Sequence, residues 1–320
     1  MKKPISFLLS IFTILFFTGC NLSPDKNESV YLFSCFSGDS RDGLHLLYSE
    51  DGYKWEALNG GNSLLTPMVG KDKLMRDPCI IEDEDGTFHM VWTVSWTEKG
   101  IGYAHSKDLV NWSEQQYIPV MEHEEGARNS WAPEITYAKD AKEFMIYWAT
   151  TIRGKFPETQ IEEDDGYNHR MYYTITKDFK SFSDTKLLYD AGFNVIDASI
   201  VPHNGEFIMF LKDETRIPPK KSLHVAKSTS LTGPYSQPSA AITGDYWAEG
   251  PTSLYIDGKW IVYFDKYRNR QMGAVESEDL INWTDITDSI SFPAGTRHGS
   301  AIKVNKKILD NIRALTEENL

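Results

Sequence analysis

Three acidic residues stand in matching surroundings: Arg76-Asp77-Pro78, Ile196-Asp197-Ala198 and Ala248-Glu249-Gly250-Pro251. Each is followed by small residues or proline and then by a short apolar run. Taken singly, Asp-Pro and Glu-Gly-Pro are turn signals. Gathered at the mouth of an apolar scaffold, three carboxylates would be costly unless they paired, ionised differently or did chemistry. Crowding keeps one carboxyl of a close set protonated while its neighbours stay ionised, which supplies a general acid and a general base together. The three acids are far apart in the chain, so the elements that carry them must bring them together.

Those elements are repeats. A short phrase begins at residues 49, 106, 176, 228 and 277: Ser49-Glu50-Asp51, Ser106-Lys107-Asp108, Thr176-Lys177-Asp178, Ser228-Thr229-Ser230 and Ser277-Glu278-Asp279. Trp55, Trp112 and Trp283 close the first, second and fifth copies, and Phe182 and Tyr235 the third and fourth. A period of roughly 50 to 70 residues is that of supersecondary units stacked around or along an axis.

Within each repeat the pattern is β. The runs 77–81, 88–94 and 101–104 read as three short strands, the first two joined by an Asp/Gly turn at Glu82 to Gly86. The order returns at 131–135 and 144–148, at 197–201 and 207–210, and at 250–255 and 260–264. Weaker runs after the repeated phrase, such as 116–119 and 186–189, supply a fourth, outer strand. Four antiparallel strands per unit make the blade of a β-propeller. The expected fold is all-β: a five-bladed propeller of four-stranded antiparallel blades. Its ring is closed by N- and C-terminal strands in one blade, since the runs 31–36, 44–48 and 55–58 lack an inner strand that 299–304 can provide. Ile308, Ile312 and Leu315 suggest a short helix in a tail over 306–320. The start of each inner strand then points at the axis on one face: Asp77, Trp131 to Glu134, Asp197, Glu249 and Arg297-His298.

Composition narrows the partners. The chain has 320 residues, 41% hydrophobic and 13% aromatic, enough for a large core. Its formal net charge of −13, spread along the sequence, would repel nucleic acid and admits a neutral partner such as a carbohydrate. Lys2 and Lys3 precede an apolar stretch over 5–17, laid out as a secretory signal and short for a membrane span. Thr18-Gly19-Cys20 resembles a bacterial lipobox, with Phe17 where leucine is usual; the resemblance implies cleavage after residue 19 and lipidation of Cys20. The alternative is an ordinary signal peptide with an incidental cysteine. The expected organisation is a signal over 1–19, a polar tether over 20–29 and a propeller over 30–305. The expected place is the bacterial cell envelope, with the membrane reached through the lipid and the chain a monomer. Cys35 and Cys79 fall in apolar runs and read as buried thiols, with a bridge left open.

The pieces Asp77-Pro78-Cys79-Ile80-Ile81, Trp131-Ala132-Pro133-Glu134-Ile135, Ile196-Asp197-Ala198-Ser199, Glu249-Gly250-Pro251 and Arg297-His298-Gly299-Ser300 resemble glycoside hydrolase family 43, in that family's order and across nearly everything after the tether. That family acts on arabinose- and xylose-containing glycans. The resemblance implies that Asp77 is the general base, Asp197 the acid that tunes and orients, and Glu249 the general acid. His298 matches the histidine facing the axial cavity, where many members hold water or a calcium ion; no cofactor is otherwise implied. Ala198 departs from the proline that often follows the central aspartate.

Inverting glycosidases place their two carboxyls roughly 6.5–9.5 Å apart, a span that separate blades can bridge across a funnel. Substrate contacts are expected from loops on the same face, with Asp39, Trp96, Arg128, Trp131, Glu214, Trp247 and Arg268 as candidates, because rings stack on sugars and charged groups bind their hydroxyls. The insertion over 152–169 is expected to form a rim favouring exo action. The leading expectation is an inverting exo-acting α-L-arabinofuranosidase, with a β-xylosidase or a non-catalytic glycan-binding lipoprotein as alternatives. A sialidase-like propeller is disfavoured, because its glycine-bearing boxes and arginine cluster are not evident.

Overall fold

The computed structural model describes residues 29–161 and 165–317. Cys20, the apolar stretch before it and most of the tether lie outside the described residues. Among the described residues no helix is long and apolar enough to cross a membrane.

The first blade contributes β1 (Ser29–Cys35), β2 (His45–Ser49) and β3 (Glu56–Ala57). The second is β4 (Arg76–Glu82), β5 (Phe88–Thr93), β6 (Ile101–Ser106) and β7 (Gln116–Ile118), and the third is β8 (Trp131–Ala138), β9 (Glu143–Thr150), β10 (Arg170–Thr176) and β11 (Lys186–Tyr189). The fourth is β12 (Val195–His203), β13 (Glu206–Asp213) and β14 (Leu223–Ser228). The fifth is β15 (Glu249–Ile256), β16 (Lys259–Lys266), β17 (Gln271–Ser277) and β18 (Thr284–Asp285). Finally β19 (Gly299–Asn305) pairs antiparallel with β1, Ser29 opposite Asn305 and Cys35 opposite Gly299. The inner strands β4, β8, β12, β15 and β19 each touch the next, and β19 touches β4, so the ring closes in one blade as the sequence pattern implies.

The repeated phrase forms the outer turn of each blade. In the second blade the Ser106 hydroxyl accepts from the backbone N–H of Asp108 and Leu109, and Asp108 Oδ1 accepts from those of Val110 and Asn111. Ser277 and Asp279 repeat the arrangement in the fifth. These bonds hold Leu109, Phe179 and Leu280 at positive φ while their side chains enter the core. The turn therefore serves the scaffold and stands away from the axis.

The fourth blade departs from the four-strand expectation. Its outer position is filled by an irregular segment whose Ser236, Ser239 and Ile242 amides bond to the carbonyls of Lys227, Val225 and Leu223. Pro234 and Pro238 have no N–H to give a ladder, and the Ser236 and Ser239 hydroxyls accept from the Lys227 and Val225 amides instead. This is the blade with the Ser228-Thr229-Ser230 copy, which lacks an aspartate.

Apolar sheet faces meet between blades, as where Phe210 and Val225 pack with Trp260 and Val262. Each such side chain contributes about 1.5–3 kcal/mol on burial. The helix α1 (Lys306–Glu317) docks Leu309 and Ile312 on the first two blades. Its buried stripe is Leu309, Ile312 and Thr316, with Ile308 only partly buried, so the face is rotated from the expected one. Cys35 and Cys79 are buried free thiols.

Candidate active site

Four inner strands open with the same irregularity. The pairing register shifts between Arg76 and Cys79, Trp131 and Glu134, Ile196 and Ser199, and Glu249 and Thr252. The second residue of each bulge has positive φ: Asp77 at 53°, Ala132 at 45°, Asp197 at 51° and Gly250 at 62°. A regular strand sends successive side chains to opposite faces, whereas this bulge turns two neighbours toward the axis. Arg76 with Asp77, Trp131 with Ala132, Ile196 with Asp197, and Glu249 all line one cavity of about 200 Å³. Thr93, Trp96, Lys212, Glu214 and His298 complete its wall.

The bulge corrects one detail of the sequence reading. Asp77 and Asp197 are equivalent, but Glu249 stands one place earlier, and Gly250 holds the equivalent position. A Cβ on Gly250 would lie 2.2 Å from the His298 ring, so the fifth blade cannot carry an acid there. Its carboxylate reaches the cavity from the preceding residue.

The electrostatics separate the three acids. Asp77 Oδ2 accepts from the Thr93 hydroxyl at 3.0 Å, and Oδ1 lies 3.2 Å from His298 Nδ1. Burial would push the Asp77 carboxyl up, but His298, with help from Arg76 and Thr93, outweighs it and holds the group at about 2. His298 responds in the opposite sense: burial disfavours its charge, yet Asp77 first, then Asp197 and Glu249, raise it to about 9. Asp197 is pushed up to about 6 by burial, opposed by Lys212 and His298 and reinforced by Glu249 and Asp77. Its Oδ2 accepts from the Gly250 amide at 3.2 Å. Asp77 is thus ionised across the physiological range, while Asp197 stands near its protonation point.

Lys212 is the group the sequence reading missed. It is 1% exposed and its ammonium lies 2.6 Å from Glu214, 3.1 Å from Glu249 Oε2 and 3.9 Å from Asp197, with the Tyr267 ring centroid at 5.0 Å. Burial works against its charge, and Glu214, Glu249 and Asp197 overcome this and hold its pKa well above the ordinary lysine value. Arg297 adds a contact of 3.6 Å to Glu249 Oε1 and bonds Asp265 at 2.5 Å. Glu134, deeper on the axis, accepts from the Cys79 thiol at 3.1 Å and is pushed up to about 7 by burial.

Of the substrate candidates, Trp96, Trp131 and Glu214 line the cavity. Trp96 is 48% exposed and meets Trp131 edge-on at 5.9 Å. Glu214 is held by Lys212 and Lys221, one on each carboxylate oxygen. Asp39, Arg128, Trp247 and Arg268 do not line it. Asp39 pairs with Arg41 in solvent, and Arg128 lies over Tyr167 and donates to the Asp165 carbonyl. Arg268 lies over Trp247 at 4.3 Å. Among the described residues of the insertion, Tyr167 and His169 pack against Trp131, which lines the cavity.

The residues present do not fit a calcium ion ligated by His298. Calcium takes oxygen ligands, whereas His298 offers ring nitrogens and its Nδ1 lies 3.2 Å from Asp77 Oδ1. Among the described residues no group of three or more His, Cys, Asp or Glu side chains is placed to hold a metal.

Comparison with known proteins places the chain in a family. A family described as a probable glycosyl hydrolase domain, related to family 43, matches residues 27–310. An α-L-arabinofuranosidase of Bifidobacterium longum subsp. longum is 21% identical over 245 residues, covering 68% of this chain and 23% of its own length. The chain therefore spans less than a quarter of that relative. Among solved structures, an α-L-arabinofuranosidase from Lactobacillus brevis superimposes with a TM-score of 0.51 at 19% identity, covering 66% of this chain and 72% of that one. An exo-β-1,3-galactanase from Phanerochaete chrysosporium gives 0.53 at 12% identity, over 78% of this chain and 53% of that one. At these identities the structural likeness shows the propeller fold.

Proposed function

We propose, for a chain that belongs to the glycosyl hydrolases related to family 43, that it removes terminal pentosyl groups from glycans by inversion, with α-L-arabinofuranosides as its substrates. The observation that carries this reading is the division of labour around the cavity: Asp77 is fixed as a carboxylate by His298 and Thr93, and Glu249 faces the same space from another blade. In the proposed reaction Asp77 accepts a proton from water as the water oxygen attacks the anomeric carbon. Glu249 gives its proton to the departing glycosidic oxygen, and the C–O bond to the leaving group breaks. Asp197, near its protonation point and bonded to the Gly250 amide, orients the acid's strand and sets the local charge. A cavity of about 200 Å³ has room for a sugar ring rather than a polymer, which supports exo action. The arabinofuranosidase relative supports the choice of sugar.

NMR analysis of products from a panel of arabinose- and xylose-bearing oligosaccharides tests substrate and anomeric outcome together; release of the retained anomer would refute inversion. Glu249→Ala should lose most activity on natural glycans and much less on aryl glycosides whose leaving group needs no proton, whereas Asp77→Asn should lose both. Equal residual activity of both variants on both substrates would remove the assignment. The Thr18-Gly19-Cys20 motif supports a further reading, a lipid on Cys20 that anchors the protein in the cell envelope. Labelling with a fatty-acid probe that persists in Cys20→Ser would exclude it.

A further inference from the structure

Arg76 stands where Glu249 stands. Both are the first residue of the bulge that opens an inner strand, in the second and fifth blades respectively, and both line the cavity. The remaining cations at the site are committed to acids: Lys212 to Glu214 and Glu249, Arg297 to Asp265, and His298 to Asp77. Arg76 differs. Its guanidinium carbon lies 4.5 Å from the centroid of the Phe36 ring and 4.5 Å from that of Trp96, and among the described residues its side chain has no hydrogen bond and no ion pair. Two rings therefore hold a charged group in place and leave its N–H donors unused at the cavity wall.

We propose that Arg76 is a specificity-determining residue that donates to ring hydroxyls of the neutral sugar seated over Asp77. The inference rests on the glycosidase reading above and adds a residue to which nothing in the family match or the relatives assigns a role. Once a sugar closes the cavity, the Arg76 donors lose water and must find acceptors within the ligand, because unmet charged donors are expensive to bury. A neutral sugar hydroxyl serves better than a carboxylate here. Asp77, Asp197, Glu214 and Glu249 line the cavity against Arg76, Lys212 and His298, so acids outnumber cations four to three and an anionic sugar would gain less there than a neutral one. The same stacking gives the exposed Trp96 a second role as the ring that fixes the guanidinium.

The test compares the full chain with Arg76→Met and Arg76→Lys. Calorimetric affinities for L-arabinose, D-xylose and D-glucuronate are measured beside kcat and KM on an aryl α-L-arabinofuranoside. Arg76→Met should weaken binding of the preferred neutral sugar and raise KM by roughly ten- to hundred-fold, with a smaller change in kcat. Arg76→Lys should recover only part of the loss, because an ammonium cannot reproduce the fork, and the thermal midpoint should stay within a few degrees. Unchanged KM and sugar affinity in Arg76→Met would overturn the assignment while leaving the hydrolase reading intact. Tight glucuronate binding that requires Arg76 would overturn the neutral-sugar assignment. A wild-type chain that binds and cleaves none of the panel would remove the underlying function and this inference with it.

Discussion

Replacing Lys212 with methionine removes one charge from a cluster in which three carboxylates share it, at 2.6, 3.1 and 3.9 Å. Methionine keeps the length and much of the volume, so packing changes little. Breaking a buried ion pair from one side costs about 3–5 kcal/mol, because the partner charge is left without compensation. For a domain of this size that is a fall in thermal midpoint of roughly 5 to 8 °C. The pH dependence gives the sharper signature. In the wild type Glu214 is held below its usual range, burial being outweighed by Lys212 and Lys221, so its stabilising contribution is complete above the unfolded carboxylate value and fades as pH falls. In Lys212→Met burial acts with less opposition, and the folded values of Asp197 and its neighbours rise. The variant is then most handicapped where those groups must ionise and recovers as they take up protons. Urea denaturation followed by tryptophan fluorescence at pH 8, 6.5 and 5 should show the gap between wild type and variant narrowing toward pH 5. A gap below about 1 kcal/mol, or one of constant size across this range, would refute the account of Lys212 as counter-ion to three acids.

Two further outcomes follow from the axial pair. His298→Ala removes the main influence that holds Asp77 at about 2 against burial, so the acid limb of kcat/KM should move to higher pH by about a unit or more, and an unmoved limb would separate His298 from the base. Gly250→Ala places a Cβ 2.2 Å from the His298 ring at a φ of 62°, and should destabilise the protein by about 2–4 kcal/mol and lower kcat by displacing His298 from Asp77; wild-type stability and turnover would show that the ring can move freely.

Much of this arrangement was legible in the sequence because it is written in local chemistry. Alternating apolar runs, Asp/Gly turns and the recurrent Ser-x-Asp phrase identify strands and outer turns without reference to the rest of the chain. The closing pairing of β19 with β1 followed from counting strands in the incomplete first blade. What escaped was whatever depends on burial and register. Lys212 follows an apolar run and resembles the charged end of a strand, yet it is paired with Ile196 inside the ring. Its counterparts opposite the other bulges are Thr93, Ala149 and Asp265, all buried. A polar residue at that place in three of the four blades, Thr93, Lys212 and Asp265, was the available signal. The loops of Asp39, Arg128, Trp247 and Arg268 share a face with the acids in the sequence pattern, but sharing a face does not place a side chain in the cavity, and each has partners elsewhere.

The bulge explains how a repeat with one local conformation produces different chemistry in each blade. Holding a residue other than glycine at positive φ costs on the order of 1–3 kcal/mol, and Asp77, Ala132 and Asp197 all sit there. A regular strand start would avoid that cost but could aim only one of two neighbours at the axis. The strained start aims both, so the second blade delivers an arginine and the ionised acid, the third an aromatic wall, and the fourth an apolar residue with the acid near its protonation point. In the fifth blade His298 occupies the space that a side chain at residue 250 would need, and the catalytic candidate moves to residue 249. Glu249 is thereby aligned with Arg76, Trp131 and Ile196 rather than with the other two acids. This offset gives it a separate environment, beside Lys212 and Arg297, while Asp77 remains beside His298. Carboxylates on different blades thus face one cavity from different places in the same bulge, and a one-residue shift is enough to arrange this.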